Sequence, residues 1–179
     1  LGVDASKLAV DLTTLTVLQV AHVDRIAYEN VSLHQGPGGT PSEQPELSPL
    51  ASVMRVAAGC RGGYCFLLVD AYAALLCSLG FTVSLHVGGC GEDPLPDVKR
   101  GNHVVMLVHL PGHPTPYISD VGLGDGPSEP FPLRSHTWHE HGYTFALRDH
   151  GGGEWRFVHD PVGSFDGFTM SLATSCAGA

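Results

Sequence analysis

The pattern of apolar residues changes once along this chain, near residue 80, and the change limits the folds open to it. The stretch from Phe66 to Leu79 contains neither Gly nor Pro, is rich in Ala and Leu, and stops at Gly80, which predicts a helix. From Phe81 onward the chain carries short β-branched runs separated by Gly- and Pro-rich turns, which predicts an antiparallel sheet or small barrel. The predicted fold class is therefore α+β, with a helical N-terminal part followed by a β part.

Further elements follow from the same patterns. Apolar residues from Leu8 to Val23 recur at helical spacing, which we interpret as two short helices. The segment from His34 to Ser48 is dense in Gly, Pro, Ser and Glu and is predicted to be an exposed loop, with Ser48 as N-cap of a helix that ends at Gly59. The predicted strands are FTVSLHV, HVVMLVHL, PYISDVG, GYTFALRD and EWRFVHD. The final stretch, SFDGFTMSLATSCAGA, begins like an ordered element and finishes in small residues with no apolar period, so its end is expected to be frayed or cut short.

Length and charge narrow the class of protein. The 179 residues suffice for one ordinary domain, or two small ones that share a core. The formal net charge of −9 and the lack of a basic stripe argue against nucleic acid as a partner. No run is apolar enough to span a membrane, and the first residues lack the order of a secretory signal, so we expect a cytoplasmic protein. Five irregularly spaced cysteines favour reduced thiols over a disulfide framework.

The five residues RGGYC, from Arg61 to Cys65, place a thiol at the start of the most clearly predicted helix. The two glycines let the backbone turn sharply into the helix, where unpaired N–H groups and the helix dipole favour a thiolate, and Arg61 adds positive charge. Most cysteines in apolar segments are simply small buried hydrophobic residues, which is our interpretation of Cys60, Cys77, Cys90 and Cys176. We single out Cys65 as a candidate nucleophile.

A cysteine nucleophile needs a base, and position selects one of the chain's 11 histidines. His103 opens a predicted strand, where it would be held firmly yet reach a cleft. Asp120, at the end of the next predicted strand, is the candidate carboxylate that fixes the imidazole tautomer. A tight hairpin is expected to leave the two about four residues apart, roughly 13 Å, so a bulge, bend or shifted pairing must bring them together.

The loop GLGDGP follows Asp120 directly and can present backbone N–H groups to phosphate oxygens. Its candidate binding residues are Gly122, Gly124 and Gly126. Three other histidines, which we place in a loop, lack the Cys or carboxylate pattern of a known metal site: His136, His139 and His141. No metal ion is predicted.

Four segments together resemble the arylamine N-acetyltransferase family. RIAYENVSLH looks like that family's Arg-Ile-Pro-Phe-Glu-Asn-Leu segment, RGGYCF like its nucleophile motif, NHVVMLV like its histidine strand, and YISDVGLG like its Asp-Val-Gly-Phe-Gly strand and loop. The four matches occur in the family's order and span residues 25 to 126. The resemblance is therefore specific.

The resemblance implies a cysteine-protease-like core in which Cys65, His103 and Asp120 form a catalytic triad. It implies a helical bundle over residues 1–80 that carries the nucleophile and a β-barrel domain over residues 81–165 that carries the other two. It also implies a ping-pong exchange, in which acetyl-CoA acylates the cysteine and an arylamine, arylhydroxylamine or hydrazine then takes the acetyl group. The acyl-CoA donor and the small amine are thus the expected partners, and the oligomeric state is left open.

Departures from the family pattern leave alternatives open. The family's Cys-Phe pair is usually followed by Glu, a variable residue and Asn, whereas Leu67, Leu68 and Val69 stand here. Residues 166–179 are expected to be the start of a truncated or missing third domain, which closes the cleft in the family. Without that domain we expect weaker acetyl transfer and more hydrolysis of the thioester. The alternatives are a noncatalytic or weakly active relative and a cysteine amidohydrolase related in chemistry to transglutaminases and papain-like proteases.

Overall fold

The computed structural model describes residues 1–31, 47–59 and 61–176. Within them, the chain forms three α-helices, which are α1 (Leu12–Arg25), α2 (Pro49–Gly59) and α3 (Cys65–Ser78). Short 3-10 turns occur at Ala5–Lys7 and Asp97–Lys99. Most of the loop predicted between residues 34 and 48 lies outside the described residues.

Helix α1 is a single helix, so the prediction of two short helices for this part of the chain is wrong. The Asp11 side chain caps the helix by accepting a hydrogen bond from the Thr14 N–H at 2.8 Å. No Gly or Pro interrupts the following 14 residues, so nothing in the sequence breaks the helix, and a 3-10 turn precedes it.

The other two helices lie within one residue of their predicted bounds. Ser48 caps α2, since its Oγ accepts a hydrogen bond from the Ala51 N–H at 3.2 Å, and the helix ends at Gly59. Helix α3 begins at Cys65 and stops two residues before Gly80, which has a φ of +91°. That left-handed conformation suits glycine and lets the chain turn from the helix into the sheet.

In the part of the chain that the structure describes, eight strands form one antiparallel sheet in the order β4-β3-β2-β1-β8-β7-β6-β5. Their bounds are β1 Thr82–Cys90, β2 His103–His109, β3 Tyr117–Ile118, β4 Phe131–Pro132, β5 His136–Glu140, β6 Tyr143–Gly151, β7 Glu154–Val158 and β8 Gly167–Cys176. The edge strands β4 and β5 are consecutive in the chain, and the rings of Phe131 and Trp138 lie 4.7 Å apart. The sheet is therefore curled, with its two edges brought close together.

Five strands lie where the sequence predicts them, and three others were not predicted. Strand β5 contains His136 and His139, so their placement in a loop is wrong, whereas His141 follows β5 in the turn to β6. Strand β8 pairs with β1 on one side and β7 on the other, so the ordered element expected at the start of the final stretch is present. It continues through the small residues to Cys176, where fraying was expected. The described residues after 166 thus belong to the sheet, while the division of the chain into domains stays a prediction.

Strand β2 is buried on both faces of the sheet. Val104, Met106 and Val108 pack with the helices, and Val105 and Leu107 face the interior of the curled sheet among aromatic side chains. Each fully buried side chain of this kind contributes roughly 1.5–3 kcal/mol to folding. The sheet is thereby fixed against α3, which holds the first residue of β2 close to the first residue of that helix.

None of the described helices is both long and apolar enough to cross a membrane.

Candidate active site

The loop before Cys65 is fixed by backbone pairing with residues 27–29. The Gly63 N–H donates to the Ala27 carbonyl at 3.3 Å, and the Glu29 N–H donates to the Gly63 carbonyl at 2.9 Å. A Cβ added to Gly62 would lie 1.9 Å from the Ala27 carbonyl oxygen, so only glycine fits there. The two sequence segments RIAYEN and RGGYC are thus joined, and together they place Cys65 at the start of α3.

Helix α2 supports the same loop through Arg55. The Arg55 Nε donates a hydrogen bond to the Gly62 carbonyl at 2.7 Å, and the Arg55 Nη2 lies 2.7 Å from the Glu29 carboxylate. Arg55 was not identified from the sequence, although it is the only charged residue in an otherwise apolar helix. Because the guanidinium bonds both segments, its charge and planar shape hold the turn that presents the thiol.

His103 and Asp120 form a buried pair. Their Nε2 and Oδ2 atoms are 2.8 Å apart, and the side chains are 2% and 1% exposed. Strand pairing explains the contact: Leu107 is opposite Ile118, and continuing this register places Asp120 opposite Val105, two residues from His103. The predicted offset of four residues is wrong. The pairing is therefore shifted from that of the expected tight hairpin, as the sequence argument required, and a diagonal offset of two lies within reach of such side chains.

The second carboxylate oxygen of Asp120 connects the pair to the nucleophile. Oδ1 accepts a hydrogen bond from the Gly122 N–H at 2.8 Å. A Cβ added to Gly122 would lie 2.8 Å from both Cα and Cβ of Cys65, and 3.2 Å from Cγ2 of Val69. The absence of a side chain at Gly122 therefore allows the loop after Asp120 to press directly against the start of α3.

The charge of Asp120 controls the state of the imidazole. Burial by itself lowers the pKa of His103, but the Asp120 carboxylate and the hydrogen bonds to Asp120 and Cys65 together raise it well above its usual value. Because Nε2 bonds Asp120, Nδ1 is the ring nitrogen left for the Cys65 thiol. The structure thus brings together the three residues proposed from the sequence, with the imidazole between the sulfur and the carboxylate.

The surroundings of Cys65 are mostly apolar. The residue is 6% exposed, and its Sγ lies 3.8 Å from the Asn102 carbonyl oxygen, within range of a weak hydrogen bond. The side chains of Leu67 and Val69 are buried. Leu67 packs against Gly63, and Val69 packs beside Gly122. These apolar contacts occupy both sides of the thiol-bearing turn.

Two further residues lie close to the site and were not identified from the sequence. Phe168 of β8 has its ring centroid 5.5 Å from that of His103. Cys90 pairs with Phe168 across β1 and β8, on the same face as His103, and burial raises the pKa of its thiol. Neither has a local sequence signal, because each reaches the site through strand pairing over a long separation.

The loop Gly122–Gly126 lies at the rim of the site. Gly124 has a φ of +81°, and a Cβ there would lie 3.4 Å from the ring of Tyr28. Among the described residues, the N–H groups of Gly124 and Gly126 have no hydrogen-bond partner. Asp120, Tyr28 and both glycines line a cavity of about 340 Å³. The loop therefore offers backbone donors to an anion, as the sequence suggests.

No positively charged side chain among the described residues complements this loop. No Lys or Arg is among the residues that line the cavity of about 340 Å³. The neutral backbone donors fit a phosphate by hydrogen bonding, without an opposing charge to add Coulomb attraction. A larger cavity, about 710 Å³, lies between the three helices and is lined by His22 and Tyr72, but by none of the three residues brought together at the thiol.

In the part of the chain that the structure describes, no three His, Cys, Asp or Glu side chains converge in a way that would hold a metal ion. His136 instead stacks on Trp138 with 4.6 Å between ring centroids, and the His139 Nδ1 lies 3.0 Å from the Thr144 hydroxyl. His141 is exposed at the turn after β5, with a φ of +50°.

The arrangement of a thiol, an imidazole and a carboxylate in this order is typical of the class of cysteine-dependent enzymes. Within that class, comparisons with known proteins single out one family. A family model described as N-acetyltransferase matches residues 11–163. The chain belongs to the arylamine N-acetyltransferase family.

Individual relatives agree with this assignment. The chain is 29% identical, over 69% of its length, to the liver isozyme of arylamine N-acetyltransferase from Gallus gallus, and the match covers 41% of that protein. It superposes on the N-arylamine acetyltransferase of Mycobacterium smegmatis with a TM-score of 0.78 and 24% identity, over 92% of this chain and 60% of the other.

A third relative is the Mycobacterium marinum arylamine N-acetyltransferase solved in complex with CoA. The TM-score is 0.78 at 24% identity, over 96% of this chain and 64% of that one. At this level of identity the two structural matches establish the fold alone. The chain spans about two fifths of the length of the curated relatives that it matches.

Proposed function

We propose that this chain transfers an acetyl group from acetyl-CoA to an arylamine, arylhydroxylamine or hydrazine through a thioester on Cys65. Membership of the family supports the reaction class. The observation that carries the proposal is the buried, 2.8 Å contact between His103 and Asp120 beside the thiol at the start of α3. The structural relative from M. marinum was solved in complex with CoA, which supports acetyl-CoA as the donor.

In the first step, Cys65 attacks the carbonyl carbon of the acetyl thioester. The bond between that carbon and the CoA sulfur breaks, and His103 gives its proton to the departing CoA thiolate, which leaves as the thiol. Asp120 stabilises the imidazolium that exists before this transfer and keeps Nδ1 directed at the sulfur. The oxyanion would be held by the first-turn N–H groups of α3, which are free for this role because Tyr64 at the N-cap makes no side-chain cap.

In the second step, the amine nitrogen of the acceptor attacks the carbonyl carbon of the acetyl-Cys65 thioester. His103 accepts the proton that the amine loses, and the carbon–sulfur bond to Cys65 breaks, which regenerates the thiolate–imidazolium pair. The enclosure of Cys65, which is 6% exposed, would limit the approach of water to the thioester between the two steps.

The donor's phosphates would bind to the loop Gly122–Gly126 by backbone hydrogen bonds. The unpaired N–H groups of Gly124 and Gly126 support this assignment, and the close packing of Gly122 on Cys65 places the loop beside the sulfur. Because no Lys or Arg lines this cavity, we expect weak salt dependence of donor binding. The reaction is proposed to take place in the cytoplasm.

Incubation with acetyl-CoA followed by mass spectrometry of the peptides tests the proposal. One acetyl group on Cys65 is expected, and none in Cys65→Ala. Cys77→Ala is the matched control, because Cys77 is an exposed thiol at the other end of α3 and its loss should leave labelling unchanged.

Other outcomes identify the alternatives. No acetyl group on Cys65 in the presence of acetyl-CoA, with cleavage of peptide or amide substrates, would assign the chain to the cysteine amidohydrolases. No adduct and no cleavage would identify a noncatalytic relative. If acetyl-Cys65 forms, transfer to a panel of small arylamines and hydrazines then measures the second step.

A further inference from the structure

The proposed mechanism does not use His159, which is among the most buried histidines that the structure describes. It follows β7 and is 3% exposed. Its ring lies inside a group of four aromatic side chains, with centroid distances of 4.9–6.1 Å, formed by Tyr143, Phe145, Phe157 and Phe165. A polar ring in such surroundings is costly to bury unless its nitrogens are hydrogen-bonded.

The hydrogen bonds of His159 extend to the glycine loop. Its Nε2 donates to the Asp125 carbonyl oxygen at 2.9 Å, and its Nδ1 lies 3.1 Å from the Asp160 carbonyl oxygen. Asp125 stands between Gly124 and Gly126, so the contact fixes the backbone of these two glycines, whose N–H groups have no partner among the described residues.

The side chain of Asp125 strengthens the same attachment. Its Oδ2 accepts from the Ser164 N–H at 2.7 Å, and its Oδ1 accepts from the Ser164 hydroxyl at 3.0 Å. Gly163 makes room for this arrangement, because a Cβ there would lie 2.0 Å from Nδ1 of His159. Three hydrogen bonds therefore tie the middle of the glycine loop to the connection between β7 and β8.

The loop is thus held at two separate points. At its start, Asp120 binds His103 and the Gly122 N–H. At its middle, Asp125 is held by His159 and Ser164. The first attachment orients the imidazole, whereas the second determines where the free donors of the loop point.

We propose that His159 is a positioning residue for the acyl-CoA donor, which holds the Gly122–Gly126 loop in the conformation that presents its N–H groups to the donor's phosphates. This inference rests on the proposed function, in which that loop binds the donor. Loss of the His159 Nε2 hydrogen bond should weaken donor binding, because the loop must then be ordered when the donor binds. The chemistry at Cys65 should remain intact, since Asp120 is held independently.

Two substitutions separate the hydrogen bond from the packing. His159→Phe keeps a ring among the aromatic side chains but removes the donor to Asp125. His159→Gln places an amide N–H near the position of the imidazole Nε2–H and should restore the contact. Ser164→Ala is a milder third variant at an exposed position, removing one of the two hydrogen bonds to the Asp125 carboxylate. His113→Gln, in an exposed turn, is the control histidine.

Acylation of Cys65 is measured by mass spectrometry at increasing concentrations of two donors, acetyl-CoA and p-nitrophenyl acetate, which has no phosphate. For His159→Phe, we expect the half-saturating acetyl-CoA concentration to rise about tenfold, as for loss of one hydrogen bond, with the maximal rate within about threefold. The rate with p-nitrophenyl acetate should be unchanged. For His159→Gln, the half-saturating acetyl-CoA concentration and the acylation rate with p-nitrophenyl acetate should stay within about threefold of the parent values. For Ser164→Ala, the half-saturating acetyl-CoA concentration should rise about threefold.

Each result decides a point. Equal losses with both donors, or a loss in His159→Gln as large as in His159→Phe, would show a merely structural role and overturn the inference. An unchanged concentration dependence in both His159→Phe and Ser164→Ala would also overturn it. If His159→Phe does not fold, Ser164→Ala decides. Failure of the parent chain to accept acetyl-CoA while p-nitrophenyl acetate acylates Cys65 would instead contradict the proposed donor.

Discussion

Two regions of the molecule bury a histidine to the same extent and give it opposite properties. His103 and His22 are each 2% exposed. His103 lies 2.8 Å from the Asp120 carboxylate, which raises its pKa well above the usual value against the opposing effect of burial. Both ring nitrogens of His22, by contrast, lack a hydrogen-bond partner among the described residues, and burial lowers its pKa to about 4.

The comparison shows that the partner, more than burial, decides the charge of an enclosed imidazole. His22 lies in α1 beside the ring of Tyr72, at a centroid distance of 5.2 Å, and behaves as a neutral ring in an apolar contact. His103 faces a carboxylate fixed by strand pairing. Only the second arrangement can hold a proton next to a thiol.

Among the substitutions that test the contrast between His103 and His22, Asp120→Asn should have the largest effect. The two oxygens of Asp120 each accept one hydrogen bond, from His103 and from the Gly122 N–H, whereas an amide has a single oxygen. If that oxygen keeps the Gly122 N–H, the amide NH₂ faces the His103 Nε2 and favours the tautomer with its proton on Nδ1. Without the negative charge, the His103 imidazolium loses its stabilisation. We expect the acylation rate of Cys65 to fall on the order of 10³-fold or more. Stopped-flow measurement with p-nitrophenyl acetate reports this rate.

Asp149→Asn is the matched control for that substitution. The Asp149 Oδ1 also accepts from an N–H two residues on, that of Gly151 at 2.8 Å, but at an exposed hairpin. Its acylation rate should equal that of the parent chain. A rate within tenfold of the parent for Asp120→Asn would mean that His103 does not depend on the carboxylate for its proton.

The next largest effect is expected from Gly122→Ala, which leaves the His103–Asp120 pair chemically intact. The added methyl group would lie 2.8 Å from the Cα and Cβ of Cys65, so either the loop or the start of α3 must shift. A shift of this size should lower the acylation rate by about 100-fold and destabilise the fold by about 1–3 kcal/mol.

Denaturant unfolding and acylation kinetics measure both effects. Gly112→Ala is the control, because Gly112 has a φ of +77° but open space around it, and therefore tests backbone strain alone. It should cost about 1 kcal/mol of stability and leave the acylation rate unchanged. Normal acylation by Gly122→Ala would show that the close contact with Cys65 is not needed.

The smallest effect concerns His22 and the dependence of stability on pH. Its pKa is about 4 in the folded chain and 6.5 when unperturbed. Between these values the unfolded chain binds a proton that the folded chain does not, so stability is full above 6.5 and falls as the pH decreases towards 4. The loss should reach about 2 kcal/mol at pH 5.

His22→Phe removes the titrating group and keeps a ring beside Tyr72. The free energy of unfolding is measured in urea at pH 7 and pH 5. Its decrease between these two pH values should be about 2 kcal/mol smaller for His22→Phe than for the parent. An identical pH dependence in both proteins would show that the His22 imidazole is hydrated and not enclosed as described.

Local patterns were sufficient for part of this architecture. The helix from Cys65 to Ser78, the class of fold and the three residues around the thiol could be predicted, because glycine breaks and strand ends mark them in the sequence. The roles of these residues in catalysis stay predictions. Strands β5 and β8 were missed, since β5 is rich in His and Glu and β8 in small polar residues, and only their pairing within the sheet identifies them as strands.

The remaining errors concern distances between segments far apart in sequence. The sequence alone did not provide the register of β2 and β3, in which His103 and Asp120 are offset by only two positions. Arg55 and His159 were not recognised, because each donates a hydrogen bond to a backbone carbonyl of another segment. Every residue has such a carbonyl, so the sequence does not show which one is the partner.

The position of β8 has a consequence for the order of folding. β1 is translated some 80 residues before its neighbour β8, so one edge of β1 has no partner in the sheet until almost the whole described chain has emerged. The ladders β4-β3-β2-β1 and β7-β6-β5 can each form earlier from neighbouring segments, but they join only through β8. Such distant pairing slows assembly, and it leaves the edge of β1 open to pairing with a wrong strand until β8 is available.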